Sequence, residues 1–156
     1  MHKNLFFFLL VCSLIVEACG TTSEPVQTDA PQLDYVMELR VTCAPAYREQ
    51  GKTIIPITGG TFSGPRLRGT VLPGGADTQT SAPRRVDLMA VYDIMTHDSV
   101  VIHVRNHGVI SSGYFRASPI FEAPADSPYA WLNQAIFVCL PQGKDGYISL
   151  PVWRVR

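Results

Sequence analysis

From residue 33 onward, the chain alternates apolar and polar residues with a period of two. In residues 33–41, Leu33, Tyr35 and Met37 open a row of apolar residues at every second position, which is typical of a half-buried β-strand. Comparable runs occupy residues 53–62, 67–71, 86–94, 100–107, 114–121, 132–138 and 147–155. Because no stretch shows a convincing helical period, the pattern predicts an all-β sandwich or a closed antiparallel barrel.

Turn-forming residues separate these runs. Glycine and proline number 12 each, which suits a β protein with many turns. Residues 96–99 are turn-forming, so the runs on either side of them predict the most secure hairpin. Pro56 indicates an edge or a bulge in its strand. Residues 129–135 suit one helical turn.

The N-terminal residues resemble an export signal. A basic start precedes an apolar run of 12 residues at 5–16, too short for a permanent span but suited to the core of a secretory signal. Ala18 before Cys19 is what a lipoprotein signal peptidase prefers, and Val16 suits the third position upstream. We therefore predict a lipoprotein-type signal peptide at residues 1–18 and lipidation at Cys19.

A polar, proline-containing stretch follows the predicted cleavage site. It predicts a flexible tether at residues 19–32 and a single domain at residues 33–156. The predicted location is the bacterial cell envelope, with a lipid anchor in a membrane. Ordinary cleavage beside Ala18 is the alternative, and it would release a soluble secreted or periplasmic protein.

Export changes what the four cysteines can do. Cys12 leaves with the signal and Cys19 takes the lipid, so Cys43 and Cys139 remain in an oxidising compartment. We predict that these two form a disulfide; the alternative is two buried free cysteines. We predict no metal site, because no Cys-x-x-Cys motif occurs and no histidine adjoins either remaining cysteine. His103 and His107 are four residues apart. On a strand this spacing separates them by about 13 Å, which is too far for them to share one metal ion.

Charge and motifs exclude several functions. Lysine plus arginine number 13, as do aspartate plus glutamate, and this zero net charge argues against a nucleic-acid partner. The glycine-rich residues 56–75 lack the Gly-Lys-Ser/Thr ending of a phosphate loop, and their glycines are better explained by bends and close approaches in a curved sheet. No Gly-x-Ser-x-Gly motif occurs. We predict no cofactor and make no prediction of oligomeric state.

Some polar residues fall on apolar strand faces. Asn106 follows two inward apolar residues of its strand, and Tyr92 lies between Ala90 and Ile94. Such groups either satisfy nearby backbone or line a cavity, where they would orient a mostly apolar ligand. Arg116 and Glu122 lie on one face of their strand. They are interpreted either as a buried ion pair or as charged groups that face a ligand. A carboxylate in an apolar cavity would have a raised pKa and could act as a general acid or base.

Four motifs together resemble the domain of unknown function 3237 family, also called uncharacterised protein family 0311. They occupy residues 55–77 (IPITGGTFSGPRLRGTVLPGGAD), 104–108 (VRNHG), 114–124 (YFRASPIFEAP) and 129–138 (YAWLNQAIFV). The resemblance covers nearly all of the predicted domain and implies a single antiparallel β-barrel, which we expect to have about eight to ten strands. It implies functional polar positions at Asp77, Gln79, Tyr92, Asn106, Arg116, Glu122, Tyr129 and Asn133. The chain departs from the family at Thr78, where an aromatic is usual, and in a short loop between Gly108 and Tyr114.

We expect an exported barrel that binds a small, mostly apolar molecule through Asp77, Gln79, Tyr92, Asn106, Arg116, Glu122 and Asn133. One alternative is a cofactor-independent isomerase, cyclase or lyase, in which Glu122 or Asp77 moves a proton while Arg116 and Asn106 stabilise negative charge. The other is a structural envelope protein, which predicts a filled barrel and an exposed apolar patch.

Overall fold

β-Strands account for most of residues 30–156, the part of the chain that the computed structural model describes. The strands are β1 (Leu33–Cys43), β2 (Tyr47–Glu49), β3 (Lys52–Ser63), β4 (Arg68–Val71), β5 (Ala76–Ala82), β6 (Arg85–Thr96), β7 (Val101–Ser111), β8 (Tyr114–Glu122), β9 (Phe137–Cys139), β10 (Gln142–Lys144) and β11 (Tyr147–Val155). A short 3₁₀ helix, Ala130–Gln134, lies between β8 and β9. The predicted signal peptide, Cys19 and most of the tether lie outside the described residues. No helix within residues 30–156 is long and apolar enough to cross a membrane.

Eight strands close into an antiparallel barrel. Their order is β1-β11-β9-β8-β7-β6-β4-β3, and the pairing of β3 with β1 closes the ring. Strand β5 continues the position of β4 between β3 and β6, while β2 pairs with β3 and β10 with β11. Closure leaves the eight strands of the ring without a free edge. The predicted all-β antiparallel barrel is confirmed.

The first strand shows where simple alternation fails. Its pairing with β11 shifts between Tyr35 and Met37, a bulge that places Val36 and Met37 both in the buried interior. Leu33 and Tyr35, which the period-two pattern assigned to the inner face, are exposed. A bulge exchanges the two faces of a strand, so the prediction is wrong before this point and right after it.

The expected strand at residues 132–138 is also only partly right. Its first half belongs to the 3₁₀ helix, from which Leu132 reaches the core, and only its second half pairs as β9. The prediction of one helical turn near residues 129–135 agrees with this helix. The sequence pattern missed β5, because its residues ADTQTSA show no apolar alternation.

The apolar core fills the half of the barrel nearest the start of β1. Phe137 is fully buried at its centre, with the ring of Phe121 edge-on at 5.1 Å and that of Trp131 at 6.2 Å. Met37 and Ile94 are completely buried in the same cluster. The other half of the barrel, toward the end of β1, is not filled by these side chains.

Two glycines allow neighbouring strands to approach closely. A Cβ at Gly69 would lie 2.0 Å from the carbonyl oxygen of Met95 on β6, and one at Gly60 would lie 2.0 Å from that of Arg40 on β1. Gly60 also has φ of +138°, which other residues rarely adopt. These contacts agree with the expectation that residues 56–75 shape a curved sheet.

The expected disulfide is absent from the structure, where Cys43 and Cys139 are both free. Cys139 is buried on β9 with its Sγ 3.6 Å from Nδ2 of Asn106, so an amide and not a second sulfur is its neighbour. Cys43 is exposed at the end of β1. The prediction of a disulfide is therefore wrong for this structure.

Candidate functional site

A cavity of about 160 Å³ occupies the half of the barrel that the core leaves empty. Strands β1, β3, β5, β6, β7, β8 and β11 form its wall, together with Pro141. Most of the lining side chains are apolar, among them Ile55, Phe115 and Leu150. None of these three is among the residues predicted to bind a ligand, although the alternation in β3 places Ile55 and Ile57 on one face of the strand.

One cross-strand row brings the main polar groups together. Asp77 on β5 pairs with Ile55 on one side and with Ala90 on the other, and Ala90 pairs in turn with Asn106 on β7. Asp77 and Asn106 are therefore two strands apart, about 10 Å between their backbones. Only the small side chain of Ala90 lies between them, which leaves open space above it.

Asp77 carries the unusual chemistry of the cavity. Its Oδ2 accepts a hydrogen bond of 2.8 Å from Nε2 of Gln79, two residues along the same strand. Its Oδ1 is buried and has no hydrogen-bond partner, alone among the buried side-chain nitrogen and oxygen atoms of residues 30–156. Burial raises the pKa of the Asp77 carboxyl, while the bond from Gln79 opposes this rise. The uncharged acid is thus favoured more than in water.

Tyr92 and Asn106 are the other predicted residues that line the cavity. Both are almost fully buried, with 3% and 4% of their surface exposed. Burial raises the pKa of the Tyr92 phenol well above its ordinary value, so the hydroxyl stays protonated. Asn106 donates to the Sγ of Cys139, and burial raises the pKa of that thiol to about 11. A thiol held in its protonated form is a poor nucleophile.

Cys43 lies at the exposed rim of the cavity. Partial burial raises the pKa of its thiol, and the nearby negative charge of Asp77 adds to this rise. From the sequence, Cys43 is expected either in a disulfide or as a buried free cysteine, and the exposed position at the cavity rim fits neither expectation. Its place beside Asp77 follows from the closure of β1 against β3, which adjoins β5.

Arg116 and Glu122, predicted to bind the ligand, are outside the cavity. Both are exposed on the outer face of β8. The Arg116 guanidinium lies 5.1 Å from the centre of the Tyr114 ring, and Glu122 forms an ion pair of 2.6 Å with Arg105. The prediction is wrong because Ala117, Pro119 and Phe121 occupy the inward-facing positions of this strand. Since side chains alternate between the two faces, Arg116 and Glu122 point outward.

Asn133 also has a different role from the one expected. Its Oδ1 accepts from the backbone N–H of Ala123 at 2.8 Å, and its Nδ2 donates to the carbonyl of Ala123 at 2.9 Å. These two bonds tie the 3₁₀ helix to the end of β8. Tyr129 likewise acts outside the cavity, because its hydroxyl donates to Oδ1 of Asp98 at 2.8 Å.

Comparison with known proteins gives the family. Residues 31–113 match the family described as protein of unknown function, DUF3237. This chain belongs to the DUF3237 family. It is 35% identical over 123 residues to a UPF0311 protein of Clostridium acetobutylicum, an alignment covering 67% of this chain and 77% of the relative. The matched segment contains all four polar residues of the cavity wall that the sequence predicted: Asp77, Gln79, Tyr92 and Asn106.

Solved structures share the fold of this DUF3237 protein. A conserved protein of unknown function from Rhodopseudomonas palustris superposes with a TM-score of 0.76 at 29% identity, covering 83% of this chain and 99% of the other. A hydroalkoxylation enzyme of Penicillium herquei is 25% identical over 155 residues, which is 96% of this chain and 97% of that enzyme. The structure of an enzyme from the same fungus superposes with a TM-score of 0.70 at 25% identity, covering 85% of this chain and all of the other.

Proposed function

We propose that the barrel cavity binds a small, mostly apolar, hydroxyl-bearing molecule and that Asp77 transfers a proton to or from it. The observation that carries this proposal is the buried Oδ1 of Asp77, which has no partner in the protein although the cavity is open beside it. A buried acceptor without a partner is costly. A ligand hydroxyl that donates to this oxygen would remove the cost.

The cavity wall supports a neutral ligand about the size of one aromatic ring. A volume of about 150 Å³ is enough for benzene in an apolar cavity, and this one has about 160 Å³. Asp77 is the only charged residue among those that line it, so an anionic ligand would meet no counter-charge there. The open cavity argues against the structural envelope role, which predicts a filled barrel.

The hydroalkoxylation enzyme named among the relatives supports a proton-transfer role. Hydroalkoxylation adds an alcohol O–H across a C=C bond: a C–O bond forms, the π bond breaks, and a proton reaches the neighbouring carbon. Nothing is oxidised or reduced. Oδ1 of Asp77 would take the hydroxyl proton and return it to carbon, so the residue ends the cycle unchanged. A pKa raised by burial suits a group that both accepts and gives a proton.

Binding can be tested with phenol and its methyl ether, anisole, by nuclear magnetic resonance titration of the full chain. If Oδ1 accepts from a ligand hydroxyl, phenol binds more tightly than anisole by about 2–10-fold, the value of one hydrogen bond. Substitution Ala90→Leu fills the space between Asp77 and Asn106 and abolishes binding of both. Equal binding of the two probes would contradict the role of Asp77 as the acceptor.

Proton transfer needs the natural ligand, which native mass spectrometry of protein purified from its own host would identify. Incubated with that molecule in D₂O, the wild-type protein is expected to place solvent deuterium on a ligand carbon. Asp77→Asn keeps the shape of the side chain but stops the transfer, while Asp126→Asn, at an exposed position, serves as the matched control. Deuterium incorporation that survives in Asp77→Asn would refute the acid–base role.

We also propose that the protein is exported and lipid-anchored at Cys19, as the sequence of its first 20 residues indicates. A diacylated cysteine would provide stable attachment to a membrane. Mass spectrometry of the mature N-terminus tests this directly. An unlipidated start beside Ala18 would instead indicate a soluble secreted or periplasmic protein.

A further inference from the structure

Both tryptophans of the chain lie at one end of the barrel. Trp153 on β11 packs edge-on against Tyr35 on β1, with ring centres 6.1 Å apart. Trp131, in the 3₁₀ helix, carries the guanidinium of Arg66 at 4.2 Å from its ring centre. Tyr35, Arg66 and Trp131 line one groove of about 150 Å³. We call this region the tryptophan end.

The tryptophan end is far from the mouth of the cavity. Strand β1 starts at the tryptophan end with Leu33 and reaches the cavity rim at Cys43. Eleven residues of strand correspond to about 35 Å. A surface that contacts the tryptophan end would therefore leave the cavity mouth free.

Exposed apolar side chains occur at this end together with charged ones. Leu33, Tyr35 and Ile136 expose 53%, 47% and 69% of their surface. Ile136 belongs here because its carbonyl accepts from the N–H of Val155, the residue paired with Leu33. Arg66 and Arg154 line the groove together with Asp34, whose carboxylate pairs with the guanidinium of Arg156 at 2.8 Å. Arg68, Asp98 and Asp126 are also exposed at this end.

The chain also enters the barrel at this end. The backbones of Gln32 and Arg156 exchange two hydrogen bonds, of 3.2 and 2.8 Å, just before β1 begins. The polar stretch that follows Cys19 in the sequence is joined to the barrel at this point. A membrane anchor upstream of residue 30 would therefore be connected to the barrel at the tryptophan end.

We propose that the tryptophan end docks on the surface of an anionic phospholipid bilayer. Tryptophan and tyrosine favour the boundary between lipid and water, because their rings are apolar and their N–H or O–H groups are polar. Arginine side chains bury their stems in this region and hold their charge at the headgroups. The docked barrel presents its cavity to the aqueous side, so its ligand arrives from solution.

Native tryptophan fluorescence tests the proposal on the full chain. Vesicles contain equal amounts of phosphatidylcholine and phosphatidylglycerol with brominated acyl chains, which quench only tryptophans in contact with the bilayer. Both tryptophans are half-buried in the proposed surface, so docking should bring their exposed edges against the bilayer and quench their fluorescence. A merely tethered barrel, or one that does not bind vesicles, would remain unquenched, and either result overturns the proposal.

Charge substitutions provide the matched comparison. Each arginine near an anionic bilayer is worth about fivefold in partitioning, so Arg66→Gln with Arg154→Gln should raise the lipid needed for half-maximal quenching about 25-fold. Arg85→Gln with Arg116→Gln makes the same charge change on exposed strand residues near the cavity and should have no effect. Equal effects of the two pairs overturn the proposal. Sedimentation without vesicles provides a second check. If the protein is a dimer and its tryptophans are already shielded from solvent, a second copy covers this end and the proposal is overturned.

Discussion

The replacement Asp77→Asn should stabilise the ligand-free protein at neutral pH. Asparagine has nearly the shape of aspartate and can still accept from Gln79, but it carries no charge into the cavity wall. A buried polar group without a partner costs about 1–3 kcal/mol, and more when it carries a charge. In the variant the asparagine Nδ2 still lacks a partner, so only the part of this cost that comes from the charge is regained. Because the Asp77 side chain as a whole is only half-buried, we expect the lower end of that range, about 1 kcal/mol, or about 3–5 °C in Tm.

The gain should depend on pH in a defined direction. Burial raises the pKa of Asp77 in the folded state, whereas in the unfolded state the carboxyl titrates near its usual value of about 4. Between these two values the folded state binds more protons than the unfolded one, so the stability of the wild type falls as pH rises. At pH below both values the carboxyl is protonated in both states, and the advantage of the variant disappears.

Urea denaturation of the full chain at a series of pH values measures both effects. The control is Asp126→Asn, whose exposed position should change the free energy of unfolding by less than about 0.5 kcal/mol at every pH. If Asp77→Asn is no more stable than the wild type at neutral pH, or if its advantage does not grow with pH, the assignment of an unpartnered buried carboxylate is wrong.

Three further outcomes follow from single contacts. Thr96→Val removes the side-chain oxygen that accepts the backbone N–H four residues later, and should lower the free energy of unfolding by about 1–3 kcal/mol in urea titration. Gly69→Ala places a Cβ against the carbonyl oxygen of Met95 and should lower Tm strongly. The control Gly143→Ala meets nothing within 4 Å and should leave Tm nearly unchanged. Similar Tm values for the two variants would contradict the close approach of the strands at Gly69. Maleimide should label Cys43 but not Cys139 in the native protein, as read by peptide mass spectrometry, and a peptide cross-linked through both cysteines would show that a disulfide forms after all.

Part of the candidate site could be predicted from the sequence. Tyr92 and Asn106 stand out because a polar group on an apolar strand face is visible from alternation alone, and both line the cavity. Asp77 and Gln79 lie on a strand without apolar alternation, so only the family resemblance pointed to them. Their position in the cavity depends on pairing with β3 and β6, which are distant in sequence.

The errors at the predicted site residues have two physical origins. The family resemblance implies functional roles for Arg116 and Glu122, and their shared strand face allows either a buried ion pair or groups that face a ligand. A shared face does not say which face is inside. The polar side chains of β8 point outward, where Glu122 forms an ion pair with Arg105 of the neighbouring strand. Asn133 was expected on a strand, yet its residues fold as a 3₁₀ helix that its own side chain fastens to Ala123.

The sequence by itself determined the class of fold, because the period of two is a local property of each strand and survives in any arrangement of them. The tertiary structure decided three things that depend on non-local contacts. The bulge in β1 exposed Tyr35, closure of β3 on β1 placed Cys43 near Asp77, and the large side chains around Phe137 filled one half of the barrel. The empty half, and the carboxylate oxygen without a partner inside it, exist because volumes and hydrogen bonds are settled only when distant strands meet.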